Sequence, residues 1–331
     1  MKLRTMNLID GAFSWFQSRI KWNRPGLRIL LFHHVFKDKK EIHKNEVYPQ
    51  EALTINDYKF IINTLRNNGH RFVSGDEVLS GLPPEDKCVM LTFDDGYANN
   101  ARLLPLLEAM KVPVTWFIST DFIANNRPFW WDILWRHSLE WDKKKIFNFK
   151  ESLIPLPRKE IEAKITETFG LASLNTNGDL DRPLTINELL KYSSNPYVTI
   201  GSHTCDHIDL SNTNKVSIID QLQRSSVDLK KWIGKEPLII SYPFGRWNYL
   251  VEKNAKKVGY KLGITTIPIS TKLPFKLTNK CAFRLGRYQI KGDLPSLDSQ
   301  IRKFESSFSF EGWYAKHKKM NEKINEYSSS D

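Results

Sequence analysis

The sequence predicts an α/β fold, a parallel sheet or barrel with helices packed outside it. Three observations predict it. Short apolar runs with β character alternate with helix-patterned segments along most of the chain, the order that builds parallel strands joined by crossover helices. Two stretches, Thr54-Ile-Asn-Asp57 and Thr185-Ile-Asn-Glu188, have the form of capping boxes that open helices. Residues suited to chemistry fall where predicted strands end: His33, the pair Asp94 and Asp95, His203, and Pro243-Phe244-Gly245. In folds of this kind the chemistry gathers at the carboxyl ends of strands.

Taken in order, Met6, Ile9, Phe13, Phe16 and Ile20 fall at helical spacing, ringed by Lys2, Arg4, Arg19, Lys21 and Arg24. This amphipathic segment either docks on the main domain or rests, through residues 1–24, on an anionic membrane surface. Residues 28–35 form an apolar strand with His33 and His34 near its end, and 36–49 a charged loop. A helix runs from Thr54 to Asn67 with Tyr58, Ile61, Ile62 and Leu65 inward. A short strand at 72–73 and a helical turn at 76–79 precede the buried strand that starts at Cys88 and runs into Asp94-Asp95-Gly96. A helix at 101–110 and a strand at 112–119 follow. Residues 129–135 are helical and aromatic, and 143–181 is a charged excursion, helical within 158–169. The remaining expectations are a helix from 185 to about 193, a strand at 197–202 and a helix at 214–233 with Ile219, Leu222, Leu229 and Ile233 as its apolar face. A strand at 238–241, a helix at 250–258, a strand at 260–265 and a strand-like run at 283–290 complete the alternation. The domain plan is therefore a helix over 1–26, one domain over 27–300 with an excursion near 125–185, and a basic, then polar tail over 301–331.

Of 331 residues, 40% are hydrophobic and 26% charged, which is compatible with a packed core. Lys+Arg 49 against Asp+Glu 37 gives a net charge of +12, a balance that suits an anionic partner. No zinc-finger, RNA-binding or helix-turn-helix pattern is present, so nucleic acid is not the expected partner. Three widely spaced cysteines, Cys88, Cys205 and Cys281, do not read as a disulfide framework. With no signal-peptide pattern and no membrane-spanning run, the expected location is cytoplasmic, at most peripheral at the inner face of the membrane.

The chemistry begins with the adjacent carboxylates Asp94 and Asp95. Successive residues of a strand face opposite ways, so the two are expected to do different jobs. Two acids beside an apolar strand call for a compensating cation or proton. His203 and His207 stand four apart, a spacing that on a helical turn lets two imidazoles grip one metal ion. An aspartate would complete three ligands and leave a position for water and substrate. The other aspartate could then take a proton from that water. Among the aromatics, Trp130 is a candidate for stacking on a sugar ring.

Thr92-Phe-Asp-Asp-Gly-Tyr97 followed by Ser202-His-Thr-x-x-His207 resembles the polysaccharide deacetylases, the NodB-homology or carbohydrate esterase family four. The resemblance covers residues 28–290. It implies a distorted (β/α)7 barrel, an irregular relative of the eight-stranded barrel. It also implies a divalent metal, most often Zn2+, with Co2+, Mn2+ or Ni2+ as alternatives, and hydrolysis of an N-acetyl group on a sugar. By position, Asp94 is the general base, and Asp95, His203 and His207 are the metal ligands. Tyr242-Pro-Phe-Gly245 resembles the family's Pro-Tyr/Phe-Gly motif, so the Phe244 N–H is the expected oxyanion donor, with Pro243, Tyr97, Trp130 and Arg287 expected near the substrate. Two family features are missing: an arginine just before the Pro-Tyr motif, and a late histidine acid. Ile29-Leu-Leu-Phe-His33 resembles the early Tyr-His motif of a permuted branch that includes biofilm exopolysaccharide deacetylases. His33 is therefore the expected acid, with His34 the second choice, and Arg284 or Arg287 could stand in for the missing arginine. The expected function is a metal-dependent hydrolase that removes N-acetyl groups from an amino sugar in a saccharide or surface-glycan precursor. The alternatives are an O-acetyl esterase acting on carbohydrate and a catalytically silent glycan-binding homologue.

Overall fold

Eight parallel strands, seven of them in one hydrogen-bonded path, form the frame in the computed structural model, which describes residues 25–292 and 296–305. The strands are β1 (Gly26–Phe32), β2 (Arg71–Phe72), β3 (Lys87–Phe93), β4 (Val114–Ile118), β5 (Val198–Ser202), β6 (Ile239–Ser241), β7 (Leu262–Ile264) and β8 (Tyr288–Gln289). Their spatial order is β7-β6-β5-β4-β3-β1-β8, with β2 paired only to the start of β3. A parallel bridge between Ile264 and Leu285 brings the segment before β8 back to β7 and curls the sheet into a barrel. Two backbone hydrogen bonds fasten it: Leu285 N–H to Gly263 O at 3.0 Å and Thr265 N–H to Leu285 O at 2.8 Å. The barrel is distorted because β6, β7 and β8 are only two or three residues long.

Strand alternation explains where the site lies. Leu30 and Phe32 of β1, and Val89, Leu91 and Phe93 of β3, pack in the outer core beneath the helix Ile55–Asn67. Leu27 and Ile29, with Cys88 and Met90, belong to a second core. Continuing that inner parity puts Leu31 and His33 on one strand, and Thr92 and Asp94 on its neighbour, at the carboxyl end of the barrel. The register agrees, pairing Leu31 with Thr92. At the opposite end Gly75 opens the helix Gly75–Ser80 against Thr115, Thr199 and Ile239. At Gly201 of β5 the Phe117 ring of β4 lies over the backbone, and an added Cβ would stand 2.5 Å from its Cε1.

Both capping boxes are present: Thr54 with Asp57 at the helix Ile55–Asn67, and Thr185 with Glu188 at the helix Ile186–Ser193. The excursion expected near 125–185 builds its own small core from Phe129, Trp131, Leu134, Leu153, Ile161 and Ile165. It contains the expected helix Arg158–Phe169 and a further one, Lys143–Leu153, that the charged pattern hid. The helix Lys215–Ile233 buries Ile218 rather than Ile219, together with the polar Gln221 and Ser225. The boundary expected at 301 falls inside a helix, Leu297–Glu305, which buries Ile301 and Phe304. That helix also accepts a hydrogen bond from the buried Arg28 guanidinium at Glu305 O, 3.0 Å. The expected amphipathic N-terminal segment, and the membrane contact considered for it, fall outside the described residues, as does the tail beyond 305. Among the described residues no helix is long and apolar enough to cross a membrane.

Candidate metal centre and active site

Asp94 and Asp95 follow the last residue of β3, and the turn decides their directions. Asp95 has φ 77° and Gly96 φ 87°. The left-handed step swings Asp95 back, so both carboxylates line the same pocket instead of facing opposite ways. They differ in what surrounds them. The Arg287 guanidinium donates to both Asp94 oxygens, to Oδ1 at 2.6 Å and Oδ2 at 2.7 Å. Ser241 Oγ donates to Asp94 Oδ2 at 3.2 Å and accepts from Arg287 at 2.8 Å. Burial would raise the Asp94 pKa, but Arg287 and then His203 outweigh it and hold the carboxyl well below the usual range.

Asp95 has no such cation. Both its oxygens are buried without a hydrogen-bond partner among the described residues. Its nearest polar neighbours are His203 Nε2 and His207 Nε2, at 3.6 and 3.5 Å from Oδ1. One ligand atom from each of the three residues lies within 4.8 Å of the others. The His203 Nδ1–H donates to Ser241 O at 2.8 Å, which leaves Nε2 free to ligate. Burial lowers the pKa of His203 to about 4, despite the raising effects of Asp94 and the Ser241 carbonyl. Burial, then His203, pushes His207 well below its usual range. Burial also pushes the Asp95 carboxyl well above its usual range, so its ionised form calls for a cation. Two neutral imidazoles and one unpartnered carboxylate fit a divalent metal ion, with room for water or substrate.

The two histidines converge by a different route from the helical turn expected of their spacing. Residues 203–207 are a loop in which Thr204 (φ 66°) and His207 (φ 52°) are both left-handed. The ring centroids are 4.7 Å apart. Such strain persists only where surrounding contacts hold it. Here the helix Lys215–Ile233 does so. Gln221 Oε1 accepts the N–H groups of Cys205 and Asp206 at 3.2 and 2.9 Å, and its Nε2 donates to Asp206 Oδ2 at 2.6 Å. Thr204 N–H donates to Ser202 Oγ at 3.1 Å, and that hydroxyl pairs with Ser225 Oγ at 2.7 Å. Phe244 is left-handed too, at φ 56°, and its ring meets His207 edge-on at 4.7 Å. Gly245 follows at φ 65°, where a Cβ would lie 2.0 Å from Thr266 Oγ1.

His33 lines the same cavity, of about 300 Å³, and His34 does not. The His33 Nδ1 and Glu51 Oε1 are 2.9 Å apart, and the His33 N–H donates to Glu51 Oε2 at 3.1 Å. Burial alone would lower the His33 pKa; Glu51, with smaller contributions from Asp95 and Asp94, raises it to about 9. His34 is kept neutral by burial and lies against Tyr97, centroids 4.0 Å apart. Trp130, Trp131, Phe244, Leu31, Tyr48 and Gln289 also line the cavity.

Three expected substrate contacts take other places. Tyr97 is fully buried, donates its hydroxyl to Asp132 at 2.6 Å and accepts from Trp131 Nε1 at 2.9 Å, so it braces Trp131 behind the pocket wall. Pro243 is buried and does not line the cavity. Arg287 is only 1% exposed and holds Asp94 from behind, while Arg284 pairs with Glu252 at 2.8 Å away from the site. Glu51, Ser241 and Gln221 were not singled out from the sequence as site residues. Only Gln221 carried a signal there: with Ser225, it interrupts an apolar helix face at the spacing of inward positions.

Replacing Gln221 by Leu should lower affinity for Zn2+ by about tenfold or more, read by competition with a chelator, because the ligand loop loses its clamp. An unchanged affinity would contradict this role.

Comparison with known proteins agrees with this geometry. Residues 81–263 match the family profile described as polysaccharide deacetylase. The candidate polysaccharide deacetylase YxkH of Bacillus subtilis (strain 168) is 25% identical over 270 residues, spanning 78% of this chain and 70% of YxkH. Two solved structures share the fold. Streptococcus pyogenes deacetylase PplD, in complex with acetate, has a TM-score of 0.58 at 18% identity, covering 85% of this chain and 99% of PplD. A de-N-acetylase from Aggregatibacter actinomycetemcomitans has a TM-score of 0.58 at 20% identity, covering 84% of this chain and 99% of that one. With more than half its length matched by the family profile, the chain belongs to the polysaccharide deacetylase family.

Proposed function

We propose that the protein is a metal-dependent N-deacetylase acting on an N-acetylated amino sugar of a saccharide or surface-glycan precursor. The observation that carries this reading is the separation of tasks within one cavity. Asp94 is held ionised by Arg287, His33 is held protonated by Glu51, and Asp95, His203 and His207 form a metal-fitting triad between them. A general base and a general acid with opposite pKa shifts are what amide hydrolysis near neutral pH requires.

A divalent ion held by Asp95, His203 and His207 would polarise the acyl carbonyl and make water more acidic. The remaining steps belong to the chain. Asp94 accepts a proton from the attacking water, and Arg287 and Ser241 keep its carboxylate in place for that transfer. The water oxygen bonds to the acyl carbon, and the Phe244 N–H donates to the developing oxyanion. His33 gives its proton to the amine nitrogen as the carbon–nitrogen bond breaks, releasing acetate and the amino sugar. Trp130, Trp131 and Phe244 offer apolar faces to the sugar ring.

Acetate release from matched N-acetyl and O-acetyl saccharides tests this assignment. The expected result is release from the N-acetyl substrate, and a fall of roughly 10²-fold or more in kcat for Asp94→Asn with stoichiometric metal retained. Release from O-acetyl substrates alone would mean an esterase, and glycan binding without release a silent homologue.

The pH profile tests the acid. The folded pKa of His33 is raised, so its proton is present at neutral pH and is lost as pH rises through about 9. Any stability from its pairing with Glu51 is likewise present at low pH and lost over that upper range. Glu51→Gln removes the charge that raises this pKa and should move the basic limb of the kcat profile down by about 1–2 units. A basic limb that does not move would remove His33 from the acid's role.

A further inference from the structure

The cavity carries one cation that neither the chemistry nor the fold uses. Lys150, on the helix Lys143–Leu153, is the only lysine or arginine lining it among the described residues. Its Nζ lies 5.8 Å from the ring centroid of Tyr48, another lining residue, so the side chain leans along the pocket wall. The carboxylates nearby are already engaged. Asp94 is held by Arg287, Glu51 by His33 and Gln289, and Asp95 by the metal triad. Among the described residues the lysine ion pairs involve Lys44, Lys230 and Lys256, not Lys150. The same helix begins with Lys143, Lys144 and Lys145, all exposed, and Lys145 lies 3.9 Å over the Trp141 ring. The segment that walls the cavity is therefore basic on its outer side as well.

We propose that the site takes an N-acylated amino sugar bearing an anionic substituent, a phosphoryl or carboxylate group, and that Lys150 is its counter-ion. This rests on the deacetylase reading and names its substrate class. A half-buried cation with no carboxylate partner among the described residues favours a ligand that brings the opposite charge into the pocket, and disfavours a neutral one only by the lack of that pairing. Lys150 would act on binding, because among the described residues no hydrogen bond or ion pair joins it to the acid, the base or the metal triad.

The test is binding to the full-length, zinc-loaded protein, read by quenching of tryptophan fluorescence, with acetate release measured in parallel. The ligands are N-acetylglucosamine 1-phosphate, N-acetylmuramic acid as the carboxylate, and neutral N-acetylglucosamine. At least one anionic ligand should bind about tenfold more tightly than the neutral sugar, the preference vanishing in Lys150→Met and surviving in Lys150→Arg. Whichever anion gains more identifies the group. Equal affinity for charged and neutral ligands, or a preference that persists in Lys150→Met, would overturn the proposal. A Lys150-dependent preference without acetate release would uphold the anion site and count against the hydrolase instead.

Discussion

Two carboxylates buried side by side repel each other, and this site is built around how that repulsion is answered. Asp94 is 2% exposed and Asp95 not at all. Each needs its own compensating charge, and the fold supplies two different kinds. Arg287, from the last strand region, reaches across the barrel to grip Asp94 with two short hydrogen bonds. Asp95 is left facing two imidazoles, which have no charge of their own to offer at neutral pH. In the proposed mechanism this division makes one carboxylate the proton acceptor and the other a metal ligand.

The rest of the structure can be understood as support for that division. Arg287 is in reach because the segment before β8 closes the barrel between β7 and β1. Its Nε–H donates to Thr265 O at 3.1 Å, which fixes the guanidinium plane. Ser241, at the end of β6, serves both halves: its hydroxyl touches Asp94 and its carbonyl orients His203. Four left-handed non-glycine residues, Asp95, Thr204, His207 and Phe244, sit at this one rim. Strained conformations cost of order 1–3 kcal/mol each, so the burial and hydrogen bonding around them must be strong enough to hold them.

Much of the fold was legible because it rests on local patterns. The two capping boxes marked helix starts correctly, and the apolar run 28–35 and the Cys88 strand appeared as β1 and β3. The pairing of His203 with His207 was also legible, though not the way it is achieved. A four-residue spacing suggests a helical turn, whereas the convergence depends on two left-handed residues and on Gln221 from a later helix. Arg287 could be named only as one of two stand-ins, because nothing local says that residues 193 apart in sequence will meet. Glu51 left no trace for the same reason: its contact with His33 is made across a loop, not along an element. Tyr97 misled in the other direction, since a tyrosine beside a catalytic motif looks like a ligand contact until its burial against Asp132 is seen.

The claim on which all of this turns is that Asp95, His203 and His207 surround a single cation. X-ray absorption at the zinc edge of the purified protein, loaded with one equivalent of Zn2+, tests it most directly. The account predicts a shell of nitrogen and oxygen at about 2.0–2.2 Å with scattering from two imidazoles. Zinc bound without imidazole scattering, or no zinc bound at all, would contradict it.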